Sequence, residues 1–226
     1  IALKNAGIKV IAIIDSREKL SGELSKIIKK HEFKIFLNHV VSTIHGKYSV
    51  KSVEVAPITE DGRDLAAQPL KIYTDLVVMS GGWTPIVNLF SQSGGKLEWD
   101  ESNSFFKPSQ YSQSCLCIGG SNGNFDMQEC IDKTISQSNL ILRRIGKKKK
   151  SKIAFKASYL NVDYKSRNIW HIPNGRILGK GGKAFIDFQN DVTASDIHLA
   201  SKEGYVSVEH LKRYTTTGMA TDQGKK

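Results

Sequence analysis

Two glycine-rich segments, each placed directly after an apolar run, carry the residues best suited to ligand chemistry. Residues 74–85 read T-D-L-V-V-M-S-G-G-W-T-P, and residues 117–127 read C-I-G-G-S-N-G-N-F-D-M before a long helical pattern. Glycines let a ligand approach the backbone closely, and amides at a helix N-terminus bind phosphate or ribityl groups. This spacing favours a nucleotide-type ligand, although an ordinary glycine-rich turn between a strand and a helix would read in the same way.

A carboxylate follows an earlier apolar run. Residues 8–14 are predominantly apolar, and Asp15 comes next. In dinucleotide-binding domains an acid at the end of the second strand accepts hydrogen bonds from the adenosine ribose, whose 2′-hydroxyl is a donor. The bland alternative is an aspartate that begins a turn, so ribose binding by Asp15 is a hypothesis.

Basic and hydroxyl side chains are concentrated near the C-terminal end of the sequence. Such side chains make charge-assisted hydrogen bonds to a dianion such as a phosphate group. The alternative is a purely structural pair of helices. The residues concerned are Lys212, Arg213, Thr215, Thr216 and Thr217.

Catalytic and metal-binding constellations are missing from the sequence pattern. No histidine forms H-E-x-x-H or pairs recognisably with a nucleophile. The cysteines are Cys115, Cys117 and Cys130, and C-x-C without a further ligand is not a standard zinc pair. An odd cysteine count without a recognisable leader predicts structural thiols in a reducing, cytoplasmic compartment. We therefore expect no metal site.

Composition limits the class of protein. The chain has 226 residues, of which 39% are hydrophobic and 24% charged, as in a globular protein. No apolar run approaches the length of a membrane span. The net charge is +11, partly from a lysine run at 147–150. A basic run can mark a nucleic-acid interface, but without a recognition motif a solvated linker is the better interpretation.

The elements that must position these residues follow from hydrophobic periodicity. Buried parallel strands are predicted at residues 8–14 and 76–79, and a further strand at 114–118. Helices are predicted at 20–31, 127–145, 197–202 and 208–214. A β-meander is predicted between 41 and 74. Thr193 and Asp196 form an N-cap signal, and Ser207 is placed to cap the last helix.

The C-terminal residues resemble a small helical iron–sulfur module. Residues 187–193 read D-F-Q-N-D-V-T, and residues 212–224 read K-R-Y-T-T-T-G-M-A-T-D-Q-G. The module of bacterioferritin-associated ferredoxins and amine-oxidising flavoenzymes reads roughly C-x-C-E-x-V-T and then K-R-x-T-x-x-G-M-G-x-C-Q-G. Its cysteine positions hold Asp187, Gln189 and Asp222 here, which cannot replace the soft thiolates of a cluster. We expect the scaffold without an iron–sulfur cluster.

Residues 74–85 and 117–127 are similar to two glycine-rich elements of two-dinucleotide-domain flavoproteins. With the cysteine-less module, this combination resembles the alpha subunits of heterotetrameric sarcosine oxidase, over about residues 1–225. The resemblance implies an α/β fold, namely a partial Rossmann-like two-dinucleotide-binding-domain flavoprotein fold with a β-meander, followed by a small helical module. The chain then corresponds to a fragment of a longer subunit.

The resemblance also implies domains and cofactors. Residues 1–146 are expected to form a partial FAD/NAD(P)-binding domain, 147–183 a basic linker and connecting arm, and 184–226 the helical module, which would run into an aminomethyltransferase-like domain. NAD is implied at the glycine-rich segments and FMN at the interface with the beta subunit, with FAD and tetrahydrofolate elsewhere in the complex. The implied cofactor-binding residues are Gly119, Gly120, Asn122, Gly123, Phe125, Met127, Asp15, Gly81, Gly82, Lys212, Arg213, Thr215, Thr216 and Thr217.

The family reaction is the oxidative demethylation of sarcosine to glycine, with hydrogen peroxide and a formaldehyde unit that tetrahydrofolate traps. It is catalysed by an oxidoreductase acting on the CH–NH group of donors. The implied partners are the beta, gamma and delta subunits, with no nucleic acid and no membrane, and the fragment alone is expected to be inactive. Two alternatives stay open: an alpha-type subunit of an opine or cyanide-forming amino-acid dehydrogenase complex, and a non-catalytic scaffold domain.

Overall fold

The computed structural model describes residues 1–148, 155–157, 167–175 and 182–222. Two compact units are present. The first unit comprises Ile1–Pro57 and Pro69–Trp170, and the second comprises Ile58–Gln68 and His171–Lys226. Most of the predicted connecting arm, and the end of the lysine run, lie outside the described residues.

The first unit contains four α-helices and seven strands among its described residues. The helices are α1 Ala2–Asn5, α2 Gly22–Lys30, α3 Asn88–Gln92 and α4 Met127–Arg144. The strands are β1 Ile13–Asp15, β2 Ile35–Leu37, β3 His39–Gly46, β4 Val50–Pro57, β5 Leu70–Tyr73, β6 Lys96–Asp100 and β7 Phe105–Gln110.

The first elements form a parallel β–α–β unit. Strand β1 pairs with β2 in parallel, with Ile13 opposite Ile35, and α2 connects them. The helix begins at Ser21, whose hydroxyl accepts a hydrogen bond from the Leu24 amide, as expected for an N-cap serine. The predicted helix at 20–31 is thus confirmed. The strand at 8–14 is much shorter than predicted, with only Ile13–Asp15 paired.

The β-meander is confirmed and holds most of the buried apolar side chains of this unit. Strands β3, β4 and β5 lie in that order in one antiparallel sheet. Valines dominate its interior because β-branched side chains suit a pleated, packed surface. The buried residues are Val40, Val53, Val55 and Ala56.

Two predicted strands are wrong. Residues 76–79 and 114–118 form no strand, and Leu76, Val78 and Met79 are 58%, 67% and 79% exposed. A continuous apolar run indicates a strand only where neighbouring strands and covering helices are available. Within the described residues, no strand pairs with either run.

The second unit is built on two short helices and a small hairpin. Strands β8 Phe185–Asp187 and β9 Val192–Thr193 are antiparallel, and helices α5 Ala194–Lys202 and α6 Val208–Thr215 follow. Tyr205 stacks on Tyr214 at 4.3 Å between ring centroids, which joins the linker between the helices to α6.

The start of α5 is fixed by a capping box. The Asp196 carboxylate accepts hydrogen bonds from the Thr193 amide at 2.8 Å and its hydroxyl at 2.7 Å, so the predicted N-cap signal is confirmed. Ser207 occupies the N-cap position of α6, but its side chain makes no capping hydrogen bond.

We expect Thr193→Ala to destabilise the second unit by about 1 kcal/mol, because α5 loses the side chain of its N-cap residue. Ser207→Ala serves as the matched control, because Ser207 makes no capping hydrogen bond. It should change the free energy of unfolding by only a few tenths of a kcal/mol. Hydrogen–deuterium exchange of peptides from α5 measures the difference. Equal exchange rates in the two variants would contradict the role of Thr193.

Candidate functional site

The second glycine-rich segment forms a tight turn at the start of the longest helix. A 3₁₀ turn at Gly119–Asn122 leads to Gly123, which has a φ of +74°. A glycine adopts this left-handed conformation without steric cost. The Asp126 carboxylate then caps α4 by accepting a hydrogen bond from the Glu129 amide at 2.7 Å. The long helix predicted after the glycine-rich segment is thus confirmed, and ligand binding by the segment stays a prediction.

The first glycine-rich segment meets this turn around one aromatic ring. The Trp83 ring lies 6.0 Å from the Phe125 ring, and the Phe105 ring lies 5.9 Å from Phe125 in an edge-to-face arrangement. A Cβ on Gly123 would lie 3.8 Å from Cγ of Pro85. Segments 40 residues apart in the sequence therefore converge, and we call this arrangement the Phe125 cluster, formed by Trp83, Pro85, Phe105, Gly123 and Phe125.

The glycines near this cluster differ in how much room they leave. A Cβ at Gly81 or Gly82 would meet no atom within 4 Å, so the backbone there is open to a ligand. A Cβ at Gly120 would make an ordinary 3.8 Å contact with Phe125. A Cβ at Gly123 would lie only 2.7 Å from the Phe105 ring, so this glycine is needed for packing.

Carboxylates surround the N-terminus of α4. Asp126 is the N-cap residue and Glu129 lies in the first turn. The Asn124 side-chain amide donates a hydrogen bond to the Glu129 carboxylate at 3.1 Å. These acids stabilise the positive end of the helix dipole. They also provide acceptors for hydroxyl groups, so the turn is better suited to a sugar than to a bare phosphate.

The cysteines of this region are packed rather than activated. Burial raises the pKa of the Cys117 and Cys130 thiols, whereas a reactive cysteine requires a lowered pKa. The Cys130 thiol donates to the Asn124 carbonyl at 3.1 Å. This agrees with the predicted structural role.

Asp15 lies at the carboxyl end of β1 and is engaged by Arg17. Its Oδ1 accepts from the Arg17 amide at 2.9 Å and from Nε at 3.0 Å, and its Oδ2 accepts from Nη2 at 2.7 Å. Partial burial alone would raise the pKa of Asp15, but the hydrogen bonds from Arg17 outweigh it and lower the pKa below its ordinary value. Among the described residues, no hydrogen bond, ion pair or ring contact joins Asp15 to the glycine-rich segments.

In the second unit the Asp187 carboxylate connects two segments of chain. It is fully buried. Oδ1 accepts from the amides of Gln189 at 3.0 Å and Asn190 at 3.1 Å, and Oδ2 accepts from the Gly218 amide at 2.7 Å. The Asn190 side chain donates to Oδ2 at 3.3 Å and also to the Thr216 carbonyl at 3.0 Å. The Gly218 amide is the main cause that lowers the pKa of Asp187.

The predicted basic and hydroxyl side chains lie at the end of α6. Thr215 donates to the Leu211 carbonyl at 2.8 Å, and its hydroxyl oxygen is 2.7 Å from that of Thr217. Thr216 follows in the left-handed conformation. Arg213 pairs with Glu209 at 3.0 Å, while Lys212 is exposed and makes no ion pair within the described part of the chain.

Several residues that shape these regions were missed by the sequence analysis. Phe105 carried no signal, and Pro85 belonged to the first glycine-rich segment without any indication of its contact with Gly123, because both contacts depend on tertiary structure. Arg17 follows Asp15 at i+2, a spacing that could have suggested the ion pair. Asn190 sits beside the cysteine-position residues, but its contact with Thr216 is 26 residues away in sequence.

The described residues show neither a metal-binding cluster nor a membrane-spanning helix. No group of three or more histidine, cysteine, aspartate or glutamate side chains is arranged to hold a metal ion there. None of the described helices combines the length and apolar character that crossing a bilayer requires.

The sequence of this chain is similar to those of known sarcosine oxidase alpha subunits. Residues 181–226 match the family model of the sarcosine oxidase A3 domain. The sarcosine oxidase alpha subunit of Rhizobium meliloti (strain 1021) is 32% identical over 223 residues, covering 99% of this chain and 21% of that protein. The alpha subunit of Corynebacterium sp. (strain P-1) is 32% identical over 220 residues, covering 96% and 22%. The chain thus spans about a fifth of the length of these relatives.

A solved structure of L-proline dehydrogenase from P. horikoshii aligns with 89% of this chain and 39% of that chain, with a TM-score of 0.54 and 15% identity. At this identity the likeness concerns the fold, and it confirms the predicted α/β, partial Rossmann-like class. Along nearly its whole length, therefore, the chain is a homologue of the sarcosine oxidase alpha subunits and fits a segment of such a subunit that carries the A3 domain.

Proposed function

We propose that the chain is the nucleotide-binding and FMN-facing segment of a sarcosine oxidase alpha subunit. The observation that carries the proposal is the convergence of two glycine-rich segments on the Phe125 cluster in a chain related to such subunits. In that complex sarcosine is oxidised to glycine with formation of hydrogen peroxide, and tetrahydrofolate traps the formaldehyde unit. The chain's own residues hold and orient cofactors, and the amine is oxidised at FAD in the beta subunit.

The first unit fits NAD at the Phe125 cluster. Gly81 and Gly82 leave open backbone, and Gly119 and Gly120 turn the chain toward the N-terminus of α4. The acids there suit ribose hydroxyls, Asn122 adds a polar side chain in the turn, and Met127 is 58% exposed at the first helical position. These residues would bind the nucleotide and exclude water from one of its faces.

Asp15 can contribute to ribose binding only if it gives up a hydrogen bond from Arg17. A carboxylate offers about four acceptor positions, and Arg17 makes four hydrogen bonds to Asp15. A ribose hydroxyl must therefore displace at least one of these hydrogen bonds.

The second unit fits the phosphate of FMN at the end of α6. Lys212 supplies an exposed positive charge, and Arg213 a second one that Glu209 partly offsets. The hydroxyls of Thr215 and Thr216 donate to the carbonyls of Leu211 and Thr215, so they would turn from these acceptors to donate to a phosphate. The C-terminal end of a helix carries a partial negative charge, so a phosphate dianion depends on these cations for binding. FMN would supply electron-transfer chemistry at the interface with the beta subunit.

Cofactor analysis of the complete complex tests the proposal. The full-length subunit, co-purified with its beta, gamma and delta partners, is expected to release NAD and flavin on denaturation, and to form peroxide when sarcosine is added. A complex without NAD would contradict the site at the Phe125 cluster. Stoichiometric iron would instead favour an opine or cyanide-forming dehydrogenase, although the buried carboxylate of Asp187, bound by four donors, speaks against a cluster there.

A lysine substitution tests the FMN contact. Lys212→Ala should raise the dissociation constant of FMN about tenfold, since one charge-assisted hydrogen bond to the phosphate is lost. FMN rebinding to the flavin-depleted complex, followed by fluorescence, gives this constant. Lys202→Ala, which removes another exposed lysine from α5, is the matched control. Equal affinities of the two variants would contradict FMN binding by Lys212.

A further inference from the structure

The threonine loop at the end of α6, residues 215–218, includes two residues in the left-handed conformation. Thr216 has a φ of +60° and Gly218 a φ of +67°. A β-branched residue rarely adopts the left-handed conformation, and such a conformation persists only where surrounding contacts determine it. The contacts that fix this loop therefore decide where the hydroxyls of Thr215, Thr216 and Thr217 lie.

Some of those contacts are local, such as the hydrogen bonds of the Thr215 hydroxyl with Leu211 and Thr217. The others come from the β8–β9 hairpin and centre on one carboxylate. Asp187 Oδ2 accepts the Gly218 amide at 2.7 Å, directly after the threonines. Asn190, oriented by its own hydrogen bond to Asp187, donates to the Thr216 carbonyl at 3.0 Å. Both of these hydrogen bonds between the hairpin and the loop thus depend on Asp187.

Within the described chain, the Asp187 carboxylate is buried against hydrogen-bond donors of the loop and hairpin and not against a cation. It is 0% exposed. Among the described residues, its hydrogen bonds come from residues 189, 190 and 218, and no lysine or arginine in this part of the chain forms an ion pair with it. A buried carboxylate with amide donors only is stabilised through those donors, so it fixes their positions relative to one another.

We propose that Asp187 is a positioning residue for the phosphate-binding loop: its carboxylate, through Gly218 and Asn190, sets the placement of Thr215–Thr217 that FMN binding requires. This inference rests on the proposed function of the second unit. Asp187 would then affect the affinity for FMN without contacting the cofactor.

The test compares two aspartate variants in the intact complex. Asp187→Asn keeps the size of the side chain but replaces an acceptor by a donor facing the Gly218 amide, and should raise the FMN dissociation constant about tenfold while the NAD content stays unchanged. Asp196→Asn weakens the capping box of α5 in the same unit without a contact to the loop. It should lower the thermal unfolding midpoint but leave FMN affinity within twofold of the wild type.

The outcomes separate a positioning role from general destabilisation. Equal loss of FMN affinity in Asp187→Asn and Asp196→Asn at equal loss of thermal stability, or wild-type affinity in Asp187→Asn, would overturn the inference. Should Asp187→Asn fail to assemble, Asn190→Ala decides the matter, because it removes only the bond to Thr216 and the weaker bond to Oδ2. Wild-type affinity of Asn190→Ala would then count against the inference.

Lys212→Ala distinguishes failure of this inference from failure of the proposed function. If Lys212→Ala weakens FMN binding and Asp187→Asn does not, the positioning role is wrong and the FMN contact stands. If neither variant affects FMN, the second unit does not bind it, and both proposals fail.

Discussion

Replacing Gly123 with alanine is expected to destabilise the first unit locally by about 3 kcal/mol and to abolish NAD retention. The added Cβ would lie 2.7 Å from two carbons of the Phe105 ring, which is closer than packed carbon atoms allow. The φ of +74° adds strain, because only glycine adopts it freely. Phe105 is itself buried and contacts Phe125, so relief of the clash would displace the centre of the Phe125 cluster.

The measurement for Gly123→Ala is hydrogen–deuterium exchange of peptides covering residues 115–130, combined with nucleotide content of the purified complex. Gly120→Ala is the matched control, because its Cβ would make only a 3.8 Å contact with Phe125 and its φ is not in the left-handed region. We expect Gly120→Ala to exchange like the wild type but to bind NAD more weakly. Wild-type exchange in Gly123→Ala would show that the Phe105 contact is not rigid.

Acid is expected to weaken the second unit in part through Asp187. The folded-state pKa of this carboxyl is lowered, chiefly by the Gly218 amide, whereas an unfolded aspartate titrates near about 3.9. A lowered pKa contributes stability that is fully present above the unfolded pKa and is lost as the pH falls through the folded one. The Thr193 hydroxyl and amide lower the pKa of Asp196 in the same direction, so both groups act together.

The difference in thermal unfolding midpoint between wild type and Asp187→Asn is the observable. We expect it to be about 5 °C at pH 6 and to shrink progressively as the pH falls below about 5 and through the lowered folded-state pKa of Asp187. Asp191→Asn, an exposed neighbour in a left-handed conformation that asparagine also tolerates, should show no such pH-dependent difference. A constant difference for Asp187→Asn across this range would mean that its charge is not what stabilises the unit.

Local signals in the sequence predicted the helices well. The helix expected at 127–145 is found at Met127–Arg144, because apolar spacing and an N-cap aspartate act within one element. The capping box of α5 is likewise contained within four consecutive residues. The turn at Gly119–Gly123 is also local, since the left-handed conformation is a preference of glycine itself, whereas nucleotide binding by this segment stays a prediction.

Features that depend on distant partners were not predicted. The runs at 76–79 and 114–118 are apolar enough for buried strands, but a strand exists only through its neighbours, and the described chain supplies none for them. The loss of cysteines predicted the loss of a cluster, yet nothing local indicated that Asp187 would bind an amide 31 residues away. The contact between the tilted rings of Trp83 and Phe125 is non-local in the same way.

The hydrogen bonds of Asp187 also bear on how readily this module could change back in evolution. At positions 187, 189 and 222 the resembling module carries cysteines, and a cluster needs all of its thiolates at once. Reverting Asp187 alone would remove the acceptor for the Gly218 amide without creating a complete ligand set. Since residues that act as a unit are non-additive, a first step back at position 187 costs stability and restores no electron carrier. The buried carboxylate thus opposes the return of a cysteine to this position.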